Sequence, residues 1–247
     1  MNRKDLPTTS LRRLVYSMRA VVSVHPSLFL PFARRKYGRA VNDRVVETDT
    51  ELVIEGFQRS GNTFAVVAFE MAQQRRVKTA HHMHAAAQIV AAARMGIPTL
   101  VLIRDPEACV LSQMVREPGI AAGQALANWV RFYEHVIPCR DRVVMAGFEQ
   151  VTTDFGAVIR EVNERFGTRF AEFEHTEANV EHCFELIELG NRARYGALRE
   201  PMIARPSVER NALKDAIRRQ YGSERLARLR SRATAVHRAL VPSQSVS

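Results

Sequence analysis

The chain has 247 residues, 46% hydrophobic and 25% charged, enough for one α/β domain with a sizeable core and ordinary for a soluble globular protein. Basic residues exceed acidic ones by 36 − 26 = +10, which fits anionic ligands or an acidic surface. The charge is spread along the chain without an aromatic-interleaved basic ribbon, which argues against nucleic acid as a partner. Cys109, Cys139 and Cys183 form no Cys-x-x-Cys pair, which gives no zinc site and suits a reducing compartment. No apolar run approaches the roughly 20 residues of a membrane span, and Arg12, Arg13 and Arg19 interrupt any signal-type core. A cytoplasmic location is expected.

In chain order, Leu11, Leu14, Val15, Met18, Val21 and Val22 recur at helical spacing. Such a stripe either docks the helix on the body of the domain or, with arginines beside it, rests on an anionic membrane surface. His25-Pro26 ends this helix, and residues 23–50 read as a connector carrying the solvated run Arg34-Arg35-Lys36. From residue 51 strands and helices alternate: strand 51–57, helix 62–75, strand 76–81, helix 84–95 stopped by Gly96 and Pro98, strand 99–103, helix 106–116, helix 121–137, strand 142–147, helix 155–166. This alternation predicts a three-layer, doubly wound parallel sheet with helices on both faces, and ligands outside the carboxyl ends of the strands. Residues 1–50 then form a helical N-terminal extension. Residues 51–247 form the α/β domain, with an Arg-rich helical part, a lid or cap, at about 177–240.

Two strand ends carry chemistry. After strand 51–57 comes Arg59-Ser60-Gly61-Asn62-Thr63-Phe64. Gly61 permits a tight turn, the following amides open a helix unpaired, Ser60 and Thr63 add hydroxyls, and Arg59 adds a permanent charge. This is an anion cradle, and not the usual nucleotide loop, because Gly-x-x-x-x-Gly-Lys-Ser/Thr is absent. Strand 99–103 ends in Arg104, Pro106 allows a helix to start, and Ser112 returns to the same mouth about two turns later. Two such ends predict a ligand with two separated anionic groups.

The pair resembles the two signature motifs of sulfotransferases that use 3′-phosphoadenosine 5′-phosphosulfate (PAPS), a family with a P-loop NTPase-like fold. The likeness covers about residues 50–170 and includes Phe148-Glu149, similar to the Tyr-Glu after a later strand of the family. It implies that Arg59, Ser60, Gly61, Asn62, Thr63 and Phe64 hold the 5′-phosphosulfate, with Phe64 either against adenine or in the core. Arg104 and Ser112 would bind the 3′-phosphate. Arg205, Ser207 and Arg210 would stand in for the family's Arg-Lys-Gly loop, which is not visible here. Arg59 replaces the commoner Lys, and Asn62 and Phe64 replace Thr and Trp.

Lys78-Thr79-Ala80-His81-His82-Met83-His84 resembles the Lys-Thr-His region that supplies the family's catalytic base. His82 is the first choice, at the family-like distance before Arg104, and His84 the second. Arg59 would stabilise the departing phosphate. The resemblance implies sulfuryl transfer from PAPS, without a metal and leaving 3′-phosphoadenosine 5′-phosphate (PAP), to a hydroxyl or amine of a small-molecule, carbohydrate or lipid acceptor. The competing readings are a nucleotide-dependent kinase, disfavoured by the missing loop lysine and magnesium carboxylate, and a non-catalytic anion- or membrane-binding domain of the same fold.

Overall fold

A computed structural model describes residues 9–37, 44–196, 214 and 217–241. Four strands, β1 (Leu52–Gly56), β2 (Thr79–His81), β3 (Thr99–Ile103) and β4 (Val144–Gly147), form one sheet in the order β2-β1-β3-β4. Every pairing is parallel, with Ile54 opposite both His81 and Leu100, and Leu102 opposite Ala146. Strands buried on both sides read as continuous apolar runs, and β1 and β3 are buried at every position. The predicted parallel α/β sheet is what the structure shows.

Alternation along the strands assigns the two faces. Leu52 and Ile54 of β1 and Leu100 and Leu102 of β3 pack with α3 (Asn62–Ala72), α8 (Phe155–Phe166) and α9 (Glu177–Tyr195). Val101 and Ile103 face the opposite way. They pack with α4 (Ala86–Met95), α5 (Pro106–Arg116), α6 (Ala122–Val136) and α10 (Ala227–Leu240). The short helix α7 (Phe148–Thr153) follows β4 directly. The chain leaves β1 through α3 towards β2, and returns through α4 past β1 to β3. The two connections lie on opposite faces, so the carboxyl end of β1 is a switch point, where a crevice opens between helices. Gly96, at φ 70°, ends α4 as predicted.

The N-terminal region departs from expectation at α2 and decides an open alternative at α1. Residues 26–37, read as connector, form helix α2 (Pro26–Tyr37). Pro26 stands in its first turn, where proline is tolerated, and Pro31 lies inside it. Phe29, Leu30 and Ala33 are buried with Val53, Ala87 and Ala91, and this packing overrides the local proline signal.

Of the two alternatives for α1 (Thr9–Val22), docking through the apolar stripe is not what forms: the helix docks through the opposite face. Tyr16 and Ser23 are buried, Gln124 Nε2 donates to Ser17 Oγ at 2.6 Å, and Arg13 Nε donates to the Gly119 carbonyl at 2.7 Å. Leu14, Val15, Met18 and Val21 are 41–59% exposed. Among the described residues no helix is long and apolar enough to cross a membrane.

Gly56 marks the closest approach in the sheet. A Cβ built there would lie 2.5 Å from the Leu102 carbonyl oxygen and 3.2 Å from Asn62 Oδ1. Gly147, at the end of β4, has nothing within 4 Å of such a Cβ and an ordinary φ of −71°. Gly56→Ala should therefore lower unfolding stability by about 1–3 kcal/mol through overpacking, and Gly147→Ala should change it by less than about 0.5 kcal/mol. Urea denaturation of the two variants checks this; equal midpoints would contradict it.

Candidate active site

The loop expected to cradle an anion runs from Phe57 to Gly61, between β1 and α3. Its underside is fixed by one hydroxyl. Tyr133 Oη, on α6, donates to the Leu102 carbonyl at 2.7 Å, accepts from the Phe57 amide at 3.3 Å, and lies 3.2 Å from Ser60 Oγ. Cys109 Sγ donates to the Gln58 carbonyl at 2.9 Å, and burial pushes its thiol up to about 12, so it stays protonated. Ser60 is thus a buried strut of the loop and not a donor at its surface.

The loop leaves the N-terminus of α3 open. Gly61, at φ 91°, is the N-cap residue, and no side chain caps the helix. Each polar side chain nearby is bonded elsewhere: Ser60 below, Asn62 Nδ2 to the Phe57 carbonyl at 3.0 Å, and Thr63 Oγ1 with His82 Nε2 at 3.2 Å. Asn62 is 4% exposed, and through its Nδ2 bond to the Phe57 carbonyl its side chain braces the loop from behind; among the described residues its Oδ1 has no hydrogen-bond partner. The first intrahelical bond is Ala65 N–H to the Gly61 carbonyl, which leaves the amides of Asn62, Thr63 and Phe64 without helical acceptors.

Arg59, Arg104 and Ser112 meet at this mouth. Arg59 Nε donates to Ser112 Oγ at 3.0 Å, and Arg104 Nη1 donates to the Arg59 carbonyl at 3.1 Å. The Arg104 guanidinium also stacks on Phe148, 3.8 Å from the ring centroid, and Phe148 lies against Gly61. Burial lowers the Arg104 pKa from its ordinary value, while the group remains a cation. Among the described residues it meets a carbonyl and a ring, with no carboxylate at ion-pair distance.

Phe64 does not reach the mouth. It is 6% exposed among Phe155, Phe173, His175 and Phe184, with ring centroids 5.7–6.4 Å away. Of its two expected roles, the structure assigns core packing, because the fourth-residue repeat of α3 turns it under the helix. Arg205, Ser207 and Arg210 lie outside the described residues.

The histidine segment flanks the cradle. His82 is engaged through both ring nitrogens, Nε2 with Thr63 and Nδ1 with His81 Nδ1 at 2.6 Å. His84 Nδ1 donates to the Gly56 carbonyl at 3.0 Å, which fixes its neutral tautomer and leaves Nε2 as the acceptor. Burial, opposed by that bond and aided by Arg19, Arg116 and Arg59 nearby, lowers its pKa to about 4. His84 lines a small cavity with Tyr16, Arg19, Gln58, Asn128 and Phe132. Among the described residues, Arg59 (φ 72°), His82 (φ 59°) and His84 (φ 50°) are the non-glycine residues with positive φ. Such conformations cost about 1–3 kcal/mol each and cluster at functional sites. Among the described residues no group of three or more His, Cys, Asp or Glu is placed to hold a metal ion.

Sequence reasoning missed Glu55, which holds the segment in this shape. It is 0% exposed, yet its carboxylate accepts from Met83 N at 3.0 Å, His84 N at 3.1 Å and Gln88 Nε2 at 3.1 Å. Burial pushes its pKa up to about 8, against these donors, which favour the charged form. The signal was present: one acid inside the apolar run of β1. Tyr133 lies inside the helix expected at 121–137, and its role became visible only in the fold.

Comparison with models of known protein families gives no match, and comparison with curated proteins gives none either. Among solved structures, mouse sulfotransferase SULT7A1 in complex with PAP aligns with a TM-score of 0.42 and 11% identity, over 78% of this chain and 91% of that one. So slight a likeness carries no conclusion.

Glu55→Ala removes the acceptor of two backbone amides at once. It should cost about 3 kcal/mol or more, since each orphaned buried donor costs about 1–3 kcal/mol. Glu55→Gln keeps one carbonyl oxygen and should cost less than half as much. Unfolding curves for the pair would contradict this role if Glu55→Ala were as stable as the parent.

Proposed function

We propose that this chain is a PAPS-dependent sulfotransferase that modifies a hydroxyl or amine of a small-molecule, carbohydrate or lipid acceptor. The observation that carries the reading is the convergence of Arg59, Arg104 and Ser112, from two separate strand ends, on one uncapped helix N-terminus. An open set of helix amides favours an anion, and a half-buried arginine stacked on a ring favours a second one.

The residues present fit that ligand. The amides of Asn62–Phe64 and the Thr63 hydroxyl would hold the 5′ side, and Arg104 with Ser112 the 3′-phosphate. The Arg59–Ser112 bond would open to admit it. PAPS supplies the sulfuryl group. Arg59 neutralises charge on the departing phosphate, the main task of a protein in such a displacement. The acceptor's proton goes to a neutral imidazole. His84 is better placed than His82, because its tautomer is fixed and its Nε2 remains an acceptor. His82, tied to Thr63, shapes the cradle instead.

Incubation with PAPS and a metabolite extract, read by mass spectrometry, should yield sulfated products, and calorimetry on the same variants reads PAP affinity. His84→Ala should lower turnover by about 10²–10⁴-fold with PAP affinity within a few-fold of the parent. His82→Ala should weaken PAP binding. Arg59→Ala should lower both, and Arg59→Lys should retain part, since a point charge replaces some of the fork. A base must be unprotonated, and a pKa lowered to about 4 keeps His84 neutral well below pH 6.5. The acid limb of the rate should accordingly fall near pH 4 to 5 and not at about 6.5, the ordinary histidine value. Loss of turnover in His82→Ala alone would move the base to His82. No PAP binding and no sulfated product would sink the whole reading.

A further inference from the structure

We infer that α1 and α2 form a docking surface for an anionic lipid bilayer. The inference stands apart from the reaction assigned above. A helix that carries an apolar stripe normally turns it inward, because each buried aliphatic side chain adds to stability. Here the stripe points out. Leu14 is 56%, Met18 59% and Val21 47% exposed on α1, and Leu28 is 59% and Phe32 58% exposed on α2. Val15, at 41%, shares the α1 face. The body-facing side of α1 lies half a helical turn away, where Tyr16, Ser17 and Arg13 make the hydrogen bonds to α5, α6 and their connection. Among the described residues, none fills this outward face.

Charge selects the occupant. Residues 9–37 hold Arg12, Arg13, Arg19, Arg34, Arg35 and Lys36 and no Asp or Glu. Arg13 and Arg19 bond carbonyls of the body and Arg34 pairs with Glu47 at 3.8 Å, while Arg35 and Lys36 are exposed. Exposed aliphatic and aromatic side chains beside a wholly basic set are what an interfacial helix needs. The apolar side chains enter the acyl boundary, and the exposed Arg35 and Lys36 meet lipid phosphates and carboxylates. A protein partner or a second copy would bury the apolar face but has no call on an unbroken basic segment. Arg19 also reaches the Met83 carbonyl beside His84 at 3.4 Å, so a bilayer on this face would lie close to the candidate site.

The test is co-sedimentation of the full chain with vesicles of phosphatidylcholine, with and without phosphatidylserine. The parent should bind the phosphatidylserine vesicles, release with added salt, and bind the neutral ones about tenfold more weakly or less. Leu14→Ser with Met18→Ser should weaken binding by about tenfold or more. Arg35→Ser with Lys36→Ser should weaken it only where phosphatidylserine is present. Both pairs are exposed, so thermal unfolding should be unchanged, which separates lost binding from lost fold. Failure of the parent to sediment with phosphatidylserine vesicles would overturn the proposal. So would a dimer in light scattering that Leu14→Ser with Met18→Ser dissociates, because that outcome gives the face to a second copy.

Discussion

The carboxylate of Glu55 is buried in the middle of a parallel sheet, and the shape of the candidate site depends on it. A buried carboxylate costs several kcal/mol unless its oxygens are met by donors. Here they are met by the Met83 and His84 amides and the Gln88 side chain, from the segment after β2 and from α4. One strand residue thus ties down the chain that carries His82 and His84, both in left-handed conformations. A buried donor left without its acceptor costs about 1–3 kcal/mol, which is comparable with backbone strain of about 1–3 kcal/mol per residue.

The loop is held from below by an equivalent device. The Tyr133 hydroxyl joins β3, the end of β1 and Ser60 in one set of bonds, and Cys109 adds the Gln58 carbonyl. The loop's own polar side chains are used up beneath or beside it. What faces outward is the backbone: the first-turn amides of α3, rimmed by Arg59 and by Arg104 on its Phe148 platform. The first-turn amides need no rearrangement when charge arrives, the condition under which electrostatic stabilisation is largest.

Much of this was legible because it is local or periodic. Apolar runs ending in a polar turn gave β1 and β3, and Pro106 and Gly96 gave helix ends that match the structure. The parallel sheet followed from alternation, and with it the prediction that Arg59, Arg104 and Ser112 share an edge, which their hydrogen bonds bear out. What failed is long-range. The stripe on α1 was visible, but spacing cannot say which way a helix turns, and polar bonds to Gln113 and Gln124 decided it. Pro26, read as a helix stop, hid α2, whose stability comes from Phe29, Leu30 and Ala33 against α4. Asn62 looked like a ligand donor and is a brace, because its partner, the Phe57 carbonyl, exists only once the loop has folded.

The central claim is that this mouth reads two anionic groups on one nucleotide, one of them a 3′-phosphate. Calorimetric titration with PAP and with ADP, which carry the same adenosine but place the second phosphate differently, tests it most directly. The account predicts PAP binding at least about tenfold tighter than ADP, without magnesium, and loss of most of that preference in Arg104→Ala, given about 1.5–3 kcal/mol for one charged hydrogen-bonding pair. Equal affinity for PAP and ADP, or a preference unchanged in a folded Arg104→Ala variant, would contradict it.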